Sequence, residues 1–440
     1  MENVLVVGAA RSGIAVSKLL LKHGYHVLLT DSNAIREKDE LSSLGIEIYD
    51  EGHPDCLKEK EYAFIVKNPG IPYRVPFVKY WGDHGMPIYT EIEIAYRLNQ
   101  NFRYAAVTGT DGKTTVTTLL YEMLNRQNKA LVAGNIGTPL CELVLKYGMN
   151  ENTYNVALEL SNFQLLGIDT FRPHVSTVTN LAPDHLDYMD SLDAYYESKM
   201  RVYENCAKDD FFIRNVDDEN ILKYAKNIPC QIIDFSLTRS DVDLYHDETY
   251  AYYKNIQLFE LSDLKIVGEF NCGNAMMAAC MAYCMGVSLE NIQEVIRNFT
   301  GVEHRIEYVD TIHGVRFYND SKATNTHAAC AGLSAFKGNV ILLCGGKDKH
   351  ISFDDLKQYD SRVKMCFSFG QTKDAFKNIF THQKSVETME DAFNEAVLFA
   401  KQGDVVLLCP ACSSFDQFKN YESRGEIFKS IVHEYADRRV

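Results

Sequence analysis

The stretch Tyr104-Ala-Ala-Val-Thr-Gly-Thr-Asp-Gly-Lys-Thr-Thr115 decides how the rest of the chain is read. Residues 104–107 are an apolar run that predicts a short strand, and residues 116–124 predict a helix. Between them lie Gly109, Thr110, Asp111, Gly112, Lys113, Thr114 and Thr115. Glycines at such a turn let successive backbone N–H groups point inward as an anion-binding nest, at the positive end of the following helix. Lys113 then reaches the β- and γ-phosphates of a nucleotide, and the Thr114 hydroxyl takes a position on Mg²⁺. The longer Walker pattern has a further glycine where Val107 stands, so this loop is a shorter variant. A turn that binds nothing would not need strand, glycines, lysine, hydroxyl and helix in this order.

Working outward, 440 residues predict about two to four domains with ample core. A net charge of −15 argues against a general binder of nucleic acid or membrane surfaces, although local lysines, metals and backbone nests can still hold anions. The chain enters an apolar run at Val4 without a leader-like segment, and no apolar run is long enough to span a bilayer. The expectation is a soluble cytoplasmic protein. Its twelve cysteines lack a repeating spacing and are expected to be reduced and often buried. Cys409-Pro-Ala-Cys412 has a redox or zinc interval, but no second pair completes a zinc site.

Residues 4–13 and 14–23 read as strand, glycine turn and helix, and residues 27–31 as a second strand ending in an acid. Ala10 occupies the middle glycine position of a dinucleotide fingerprint, so a nucleotide-shaped pocket is expected and NAD is not. Arg11 and Ser12 in the turn suit a diphosphate, and Asp31 with Ser32 suits a ribose or base edge. A ligand-free docking domain is the alternative. Asn68-Pro69-Gly70-Ile71-Pro72 follows another strand, residues 63–67, at the same sheet edge.

After the phosphate loop, residues 130–133 form a strand before Gly134-Asn-Ile-Gly137, and an apolar strand ends in Glu159, well placed for Mg²⁺. A salt-bridged glutamate is the alternative there. The run from His174 delivers Asp184, His185 and Asp187 to a loop, and a histidine beside two carboxylates invites a metal role. Residues 192–208 read as an amphipathic helix on which Lys199, by itself, is a solvated surface lysine. Asn271 and Asn274 open a helix over residues 275–285, suited to a base edge or simply to capping. Residues 301–306 read as a hinge before a strand. The later strand–loop–helix repeats predict a mostly parallel, doubly wound sheet with polar loops at strand C-terminal ends.

Four stretches together resemble one family, the ATP-dependent Mur ligases of peptidoglycan synthesis. They are TGTDGKTT (108–115), GNIG (134–137), LELSNFQL (158–165) and NDSKATN (319–325). The stretch from Pro410 to Tyr421 is similar to the branch that joins D-glutamate to UDP-N-acetylmuramoyl-L-alanine. The resemblance implies an α/β fold of three domains: a Rossmann-like UDP-sugar domain (1–92), a central ATPase domain (93–299) and a C-terminal amino-acid domain (300–440). It implies amide formation through an acyl phosphate and a tetrahedral intermediate, with ADP and phosphate released, by a monomer acting on small molecules.

Carried over by residue, the resemblance implies that Lys113 and Thr114 hold the ATP phosphates and one Mg²⁺, which Glu159 completes. His185 serves a second Mg²⁺ and the UDP-substrate, and Lys199 is carried as a carbamate ligand. Asn274, Arg305 and Asp320 match further ATP contacts. Arg11, Ser12, Asp31, Ser32, Gly70 and Asn135 match the UDP-sugar site. Lys322, Thr324, Lys349, Ser414 and Tyr421 match the glutamate pocket. The chain departs from the usual pattern at Asp111 for Asn, Asn68 and Asn162 for Ser, Pro183-Asp184 for Glu-Asp, Cys409 for Ser and Tyr421 for Phe. L-glutamate, another nucleotide-sugar peptide, or a non-catalytic nucleotide-binding regulator are the alternative readings.

Overall fold

The structure, a computed structural model, describes residues 1–99, 101–148, 152–184, 188–348 and 351–437. Its strands gather into three sheets. Two compact units divide the chain, Met1–Glu260 with Asn274–Val295, and Leu261–Gly273 with Ile296–Val440. The first unit carries two of the sheets and the second unit the third.

The first sheet comprises β1 (Asn3–Val7), β2 (His26–Thr30), β3 (Glu47–Tyr49), β4 (Phe64–Lys67) and β5 (Ile88–Tyr89), all parallel, in the order β3-β2-β1-β4-β5. Runs such as Val4 to Val7 are apolar without alternation because parallel strands are covered on both faces, and all four side chains are fully buried. The chain winds outward one way from β1 and then restarts on its other side at β4. That reversal opens a crevice at the strand C-terminal ends, between the turn after β1 and the loop after β4. Gly8 makes the first turn with φ +100°, which a side chain adopts only under strain.

The second sheet runs β14-β13-β12-β11-β10-β9-β6-β8-β7. Its members are β6 (Phe102–Thr108), β7 (Ala130–Gly134), β8 (Tyr154–Glu159), β9 (Val175–Val178), β10 (Phe211–Asn215), β11 (Gln231–Phe235), β12 (Leu244–His246), β13 (Tyr250–Tyr253) and β14 (Ile256–Glu260). The pairs from β7 to β12 are parallel, and β12-β13-β14 closes the edge as an antiparallel meander. The phosphate-loop strand β6 lies between β8 and β9, extends one residue beyond Val107, and feeds the helix Lys113–Gln127.

The third sheet runs β15-β16-β20-β17-β18-β19, from β15 (Glu307–Ile312), β16 (Val315–Asn319), β17 (Val340–Gly345), β18 (Val363–Phe369), β19 (Gln383–Ser385) and β20 (Val405–Leu408). Among the described strands of this sheet, only the β15-β16 hairpin pairs antiparallel. Inserting β20 between β16 and β17 brings the loops after these three strands side by side. Among the described residues no helix is long and apolar enough to cross a membrane.

Two helices differ from the expectation. The segment predicted as one amphipathic helix over residues 192–208 is an α-helix only over Leu192–Met200, followed by a 3₁₀ turn at Arg201–Tyr203. Arg201 donates to the carbonyls of Leu166 and Ile168, and Tyr195, Tyr196, Ser198, Lys199 and Met200 are all buried. Asp193 and Glu197, one turn apart, keep one face of this helix exposed. The helix expected from residue 275 begins at Glu269, so Asn271 and Asn274 lie within its first two turns and not ahead of it.

Candidate active site

The phosphate loop is built from the strand ends around it. Gly109 has φ +140° and packs so closely on Thr179 that a Cβ there would run into its side chain. Thr110 N donates to Asn180 O at 2.9 Å, and Asp111 N donates to Asn180 Oδ1 at 2.9 Å. Thr179 Oγ1 donates to Asp111 O at 2.5 Å. The residues after β9 thus fix the loop from below. Gly112, in the left-handed region at φ +79°, abuts Asn274, and the helix starts at Lys113.

Two lysines converge on one carbonyl. Lys113 Nζ donates to Gly109 O at 3.1 Å and to Thr110 O at 2.6 Å, while Lys199 Nζ donates to Gly109 O at 2.7 Å. Lys199 is not the surface lysine of its local sequence: it is 2% exposed, with Nζ 4.6 Å from the Tyr195 ring centroid. Burial, reinforced by the neighbouring Lys113 charge and opposed by Asp184 and Asp111, brings its pKa down to about 7. The lowered pKa favours the free amine of Lys199.

Glu159 ends β8 in register with Val107 on one side and Gly134 on the other. Its Oε1 accepts from Asn135 Nδ2 at 2.8 Å, whereas the buried Oε2 has no hydrogen-bond partner among the described residues. An orphaned buried carboxylate oxygen beside a phosphate loop fits a hard divalent cation, with Thr114 as a second oxygen donor at the helix start. His185, the candidate for a second metal, lies outside the described residues.

Asp111 is exposed, so its departure from Asn places a charge at the mouth of the loop. Asp111→Asn is expected to lower the KM for ATP by roughly two- to five-fold at low salt, with less effect as salt rises, because exposed charges are screened. Steady-state kinetics at two ionic strengths measure this.

A separate cavity of about 340 Å³ occupies the crevice beside β1 and β4. Arg11, Ser12, Gly70 and Asn135 line it, as do Asn68, Pro69, Ser161 and Gln164. Asp31 and Ser32 do not: Asp31 Oδ2 accepts from Ala9 N at 2.7 Å, and Oδ1 from Asn33 N at 2.9 Å. Burial raises its pKa, but the Ala9 and Asn33 hydrogen bonds outweigh that and hold it below the ordinary value. The sequence reading missed Ser161 and Gln164. They form a capping box, Ser161 Oγ accepting from Gln164 N, and the Ser-x-x-Gln spacing was its signal.

In the second unit, Lys322 Nζ lies 5.4 Å from the Tyr421 ring centroid, and Ser321 Oγ donates to Tyr421 O at 2.8 Å. The fully buried Arg424 joins these loops, donating to Ser321 O at 2.8 Å and Cys412 O at 3.1 Å. Ser414 is buried just beyond Cys412. Thr324 N donates to Lys322 O at 2.8 Å, which keeps that residue in the same loop. Lys349 lies outside the described residues. Arg305 is exposed. Asp320 is buried, accepting from Ile306 N at 3.2 Å and Cys409 Sγ at 3.4 Å, and burial pushes its pKa up to about 7. Cys409 and Cys412 face Asp320 and Thr372 separately, and burial raises both thiol pKa values. Both are buried free cysteines.

Residues 107–282 match the Mur ligase middle domain, and residues 304–412 match the Mur ligase, glutamate ligase domain. The UDP-N-acetylmuramoylalanine–D-glutamate ligase of Geobacillus sp. is 41% identical over 444 residues, covering 98% of this chain and 97% of the relative. The chain belongs to the Mur ligase family. A relative of the same name from Bacillus subtilis is 38% identical over 443 residues, with the same coverage of 98% and 97%. Among solved structures, the UDP-N-acetylmuramate–alanine ligase MurC of Thermotoga maritima aligns over 100% of both chains with a TM-score of 0.56 and 17% identity, a likeness of fold. The three-domain α/β architecture expected of a Mur ligase is therefore the one found, with mostly parallel sheets throughout.

Proposed function

We propose that this Mur ligase is an ATP-dependent enzyme that joins D-glutamate to UDP-N-acetylmuramoyl-L-alanine, releasing ADP and phosphate, in the synthesis of peptidoglycan precursors. The observation that carries the reading is the meeting of Lys113 and Lys199 at Gly109 O, next to a strand end whose Glu159 Oε2 is buried without a partner. A carboxylate is a poor electrophile at neutral pH. In the proposed reaction one of its oxygens attacks the γ-phosphorus of ATP and ADP departs. The glutamate amine then adds to the acyl phosphate, loses a proton, and the tetrahedral intermediate expels phosphate.

The chain's tasks are to hold crowded anions and to align three substrates, and alignment alone is worth roughly 7–11 kcal/mol. Lys113 and the inward N–H groups of residues 109–112 bind the β- and γ-phosphates, with Thr115 and Asn274 beside them. Arg305 and Asp320 serve the nucleotide. Arg11, Ser12, Gly70 and Asn135 bind the UDP-sugar, and Lys322, Thr324, Ser414 and Tyr421 the incoming dicarboxylate. Residues 1–92, 93–299 and 300–440 then correspond to the UDP-sugar, ATP and amino-acid domains. Glu159 and Thr114 hold Mg²⁺, which when bound neutralises phosphate charge.

A second metal is assigned to His185 and to Lys199 as its carbamate. The buried free amine adds carbon dioxide and gives up a proton, which turns a neutral side chain into an anionic oxygen ligand. Because the Lys199 pKa is depressed to about 7, carbamate formation increases as pH rises through that value. Intact mass in bicarbonate buffer is expected to show one added carbon dioxide, absent in Lys199→Arg; equal masses at every pH contradict it. The enzyme is proposed to act as a cytoplasmic monomer without nucleic-acid or membrane partners.

Phosphate release from ATP with UDP-N-acetylmuramoyl-L-alanine tests the function, comparing D- with L-glutamate. Release only with the D-isomer is the expected result. Release with the L-isomer alone moves the specificity, and release with neither favours a nucleotide-binding regulator.

A further inference from the structure

Lys67 ends β4, immediately before the wall of the 340 Å³ cavity, and its side chain is fully buried. No carboxylate pairs with it among the described residues. Instead Nζ donates to Asn68 O and Pro69 O, both at 3.4 Å, and to Tyr188 Oη at 3.3 Å, and it lies 4.4 Å from the Tyr73 ring centroid. Tyr188, from the second sheet's side of the same unit, completes the arrangement. Its hydroxyl lies 2.9 Å from Pro69 O and 2.7 Å from Ile71 O, sharing its proton between them. Its ring packs at 4.1 Å on Phe163, and its carbonyl accepts from Arg74 Nη1 at 3.0 Å.

A lysine amine sealed away from water is costly to charge, and burial alone lowers the Lys67 pKa to about 7. An apolar side chain would fill the same space at less cost, so the three donors must secure something that packing cannot. What they secure is the direction of two peptide units. In a trans peptide the N–H points opposite to the C=O. With the Pro69 carbonyl turned to Lys67 and Tyr188, the Gly70 N–H points away from them, with Asn68 Oδ1 3.5 Å off. Asn68, Pro69 and Gly70 all line the cavity opposite Arg11 and Ser12.

We propose that Lys67 and Tyr188 are positioning residues that lock the loop after β4 into the shape that receives the UDP-sugar, joining the two sheets of the first unit across that site. This rests on the assignment of the cavity to the UDP-sugar. Neither side chain touches substrate. Both act through the carbonyls of residues 68, 69 and 71, so removing either should weaken UDP-sugar binding without altering ATP binding, and removing both should add little.

The test uses the full chain with Lys67→Met, Tyr188→Phe and the double variant. Calorimetry without ATP reads UDP-N-acetylmuramoyl-L-alanine binding, and kinetics read kcat and both KM values. Each single change is expected to weaken binding and raise the UDP-sugar KM roughly ten-fold or more, in line with loss of buried hydrogen bonds that hold the loop. The ATP KM should stay within about two-fold, and the double variant should match the worse single one. Unchanged UDP-sugar binding, equal rises in both KM values, or effects that multiply would overturn the proposal. If Lys67→Met fails to fold, Tyr188→Phe keeps the ring and carries the same test. A wild-type protein that binds no UDP-sugar overturns the functional reading instead.

Discussion

Replacing Lys113 with methionine is expected to lower kcat for glutamate-dependent phosphate release by roughly a thousand-fold or more, while UDP-sugar binding stays within about two-fold of wild type. The stem of the side chain is kept, so the change removes a charge and little packing. Lys113 Nζ rests on Gly109 O and Thr110 O, carbonyls of the loop that would surround the phosphates, and is pre-placed to turn to them. The cavity proposed for the UDP-sugar is lined by other residues, from the turn after β1, the loop after β4 and the segment after Gly134. Kinetics and calorimetry on one preparation separate the two effects. Collapse of UDP-sugar affinity in a folded variant would refute this division of labour.

The largest expected effect on stability lies at Glu93, on the short helix Glu91–Arg97. Its fully buried carboxylate accepts from the backbone N–H groups of Asp169, Thr170 and Phe171 at 2.9–3.0 Å, from Thr170 Oγ1 at 2.6 Å and from Arg97 Nε at 2.6 Å. Glu93→Ala strips all of these at once and strands buried donors, which should cost about 3–5 kcal/mol in a denaturant titration. Burial pushes the Glu93 pKa up, but the donors outweigh it and the folded value lies below the ordinary 4.5. A depressed carboxylate pKa means that folding releases protons. The contribution is therefore complete above the unfolded pKa and is lost as pH falls through the folded one. Wild type should lose stability in that acid range more steeply than Glu93→Gln, and parallel curves would contradict the assignment.

Local order makes the phosphate loop legible from the amino-acid sequence. Glycine, lysine, hydroxyl and helix start act over a few consecutive residues, so neighbours along the chain are also neighbours in the site. Glu159 is legible for a similar reason, since an acid ending an apolar run sits at the ligand edge of a parallel sheet. Lys199 is not legible from its own segment. Its burial depends on Tyr195 and on Gly109, 90 residues away, and only the family resemblance singles it out. Lys67 escapes notice for the same cause, because Tyr188 lies 121 residues further on. The helix from Leu192 reads too long because Arg201 continues the helical pattern in sequence, while its guanidinium is committed to carbonyls elsewhere. Asp31 is placed as a nucleotide acid by spacing, and the hydrogen bonds that its oxygens accept from Ala9 N and Asn33 N are local contacts that spacing does not reveal.

The proposed reaction turns on the conversion of a carboxylate into an acyl phosphate at the Lys113–Glu159–Lys199 site. Heavy-oxygen labelling of the alanyl carboxylate of UDP-N-acetylmuramoyl-L-alanine reads that step directly, by mass analysis of the phosphate released during turnover with D-glutamate. One labelled oxygen in each phosphate is the predicted result, because the carboxylate oxygen that attacks phosphorus must leave with it. Phosphate that carries no label would mean that water, not the substrate acid, took the phosphoryl group, and would contradict the account.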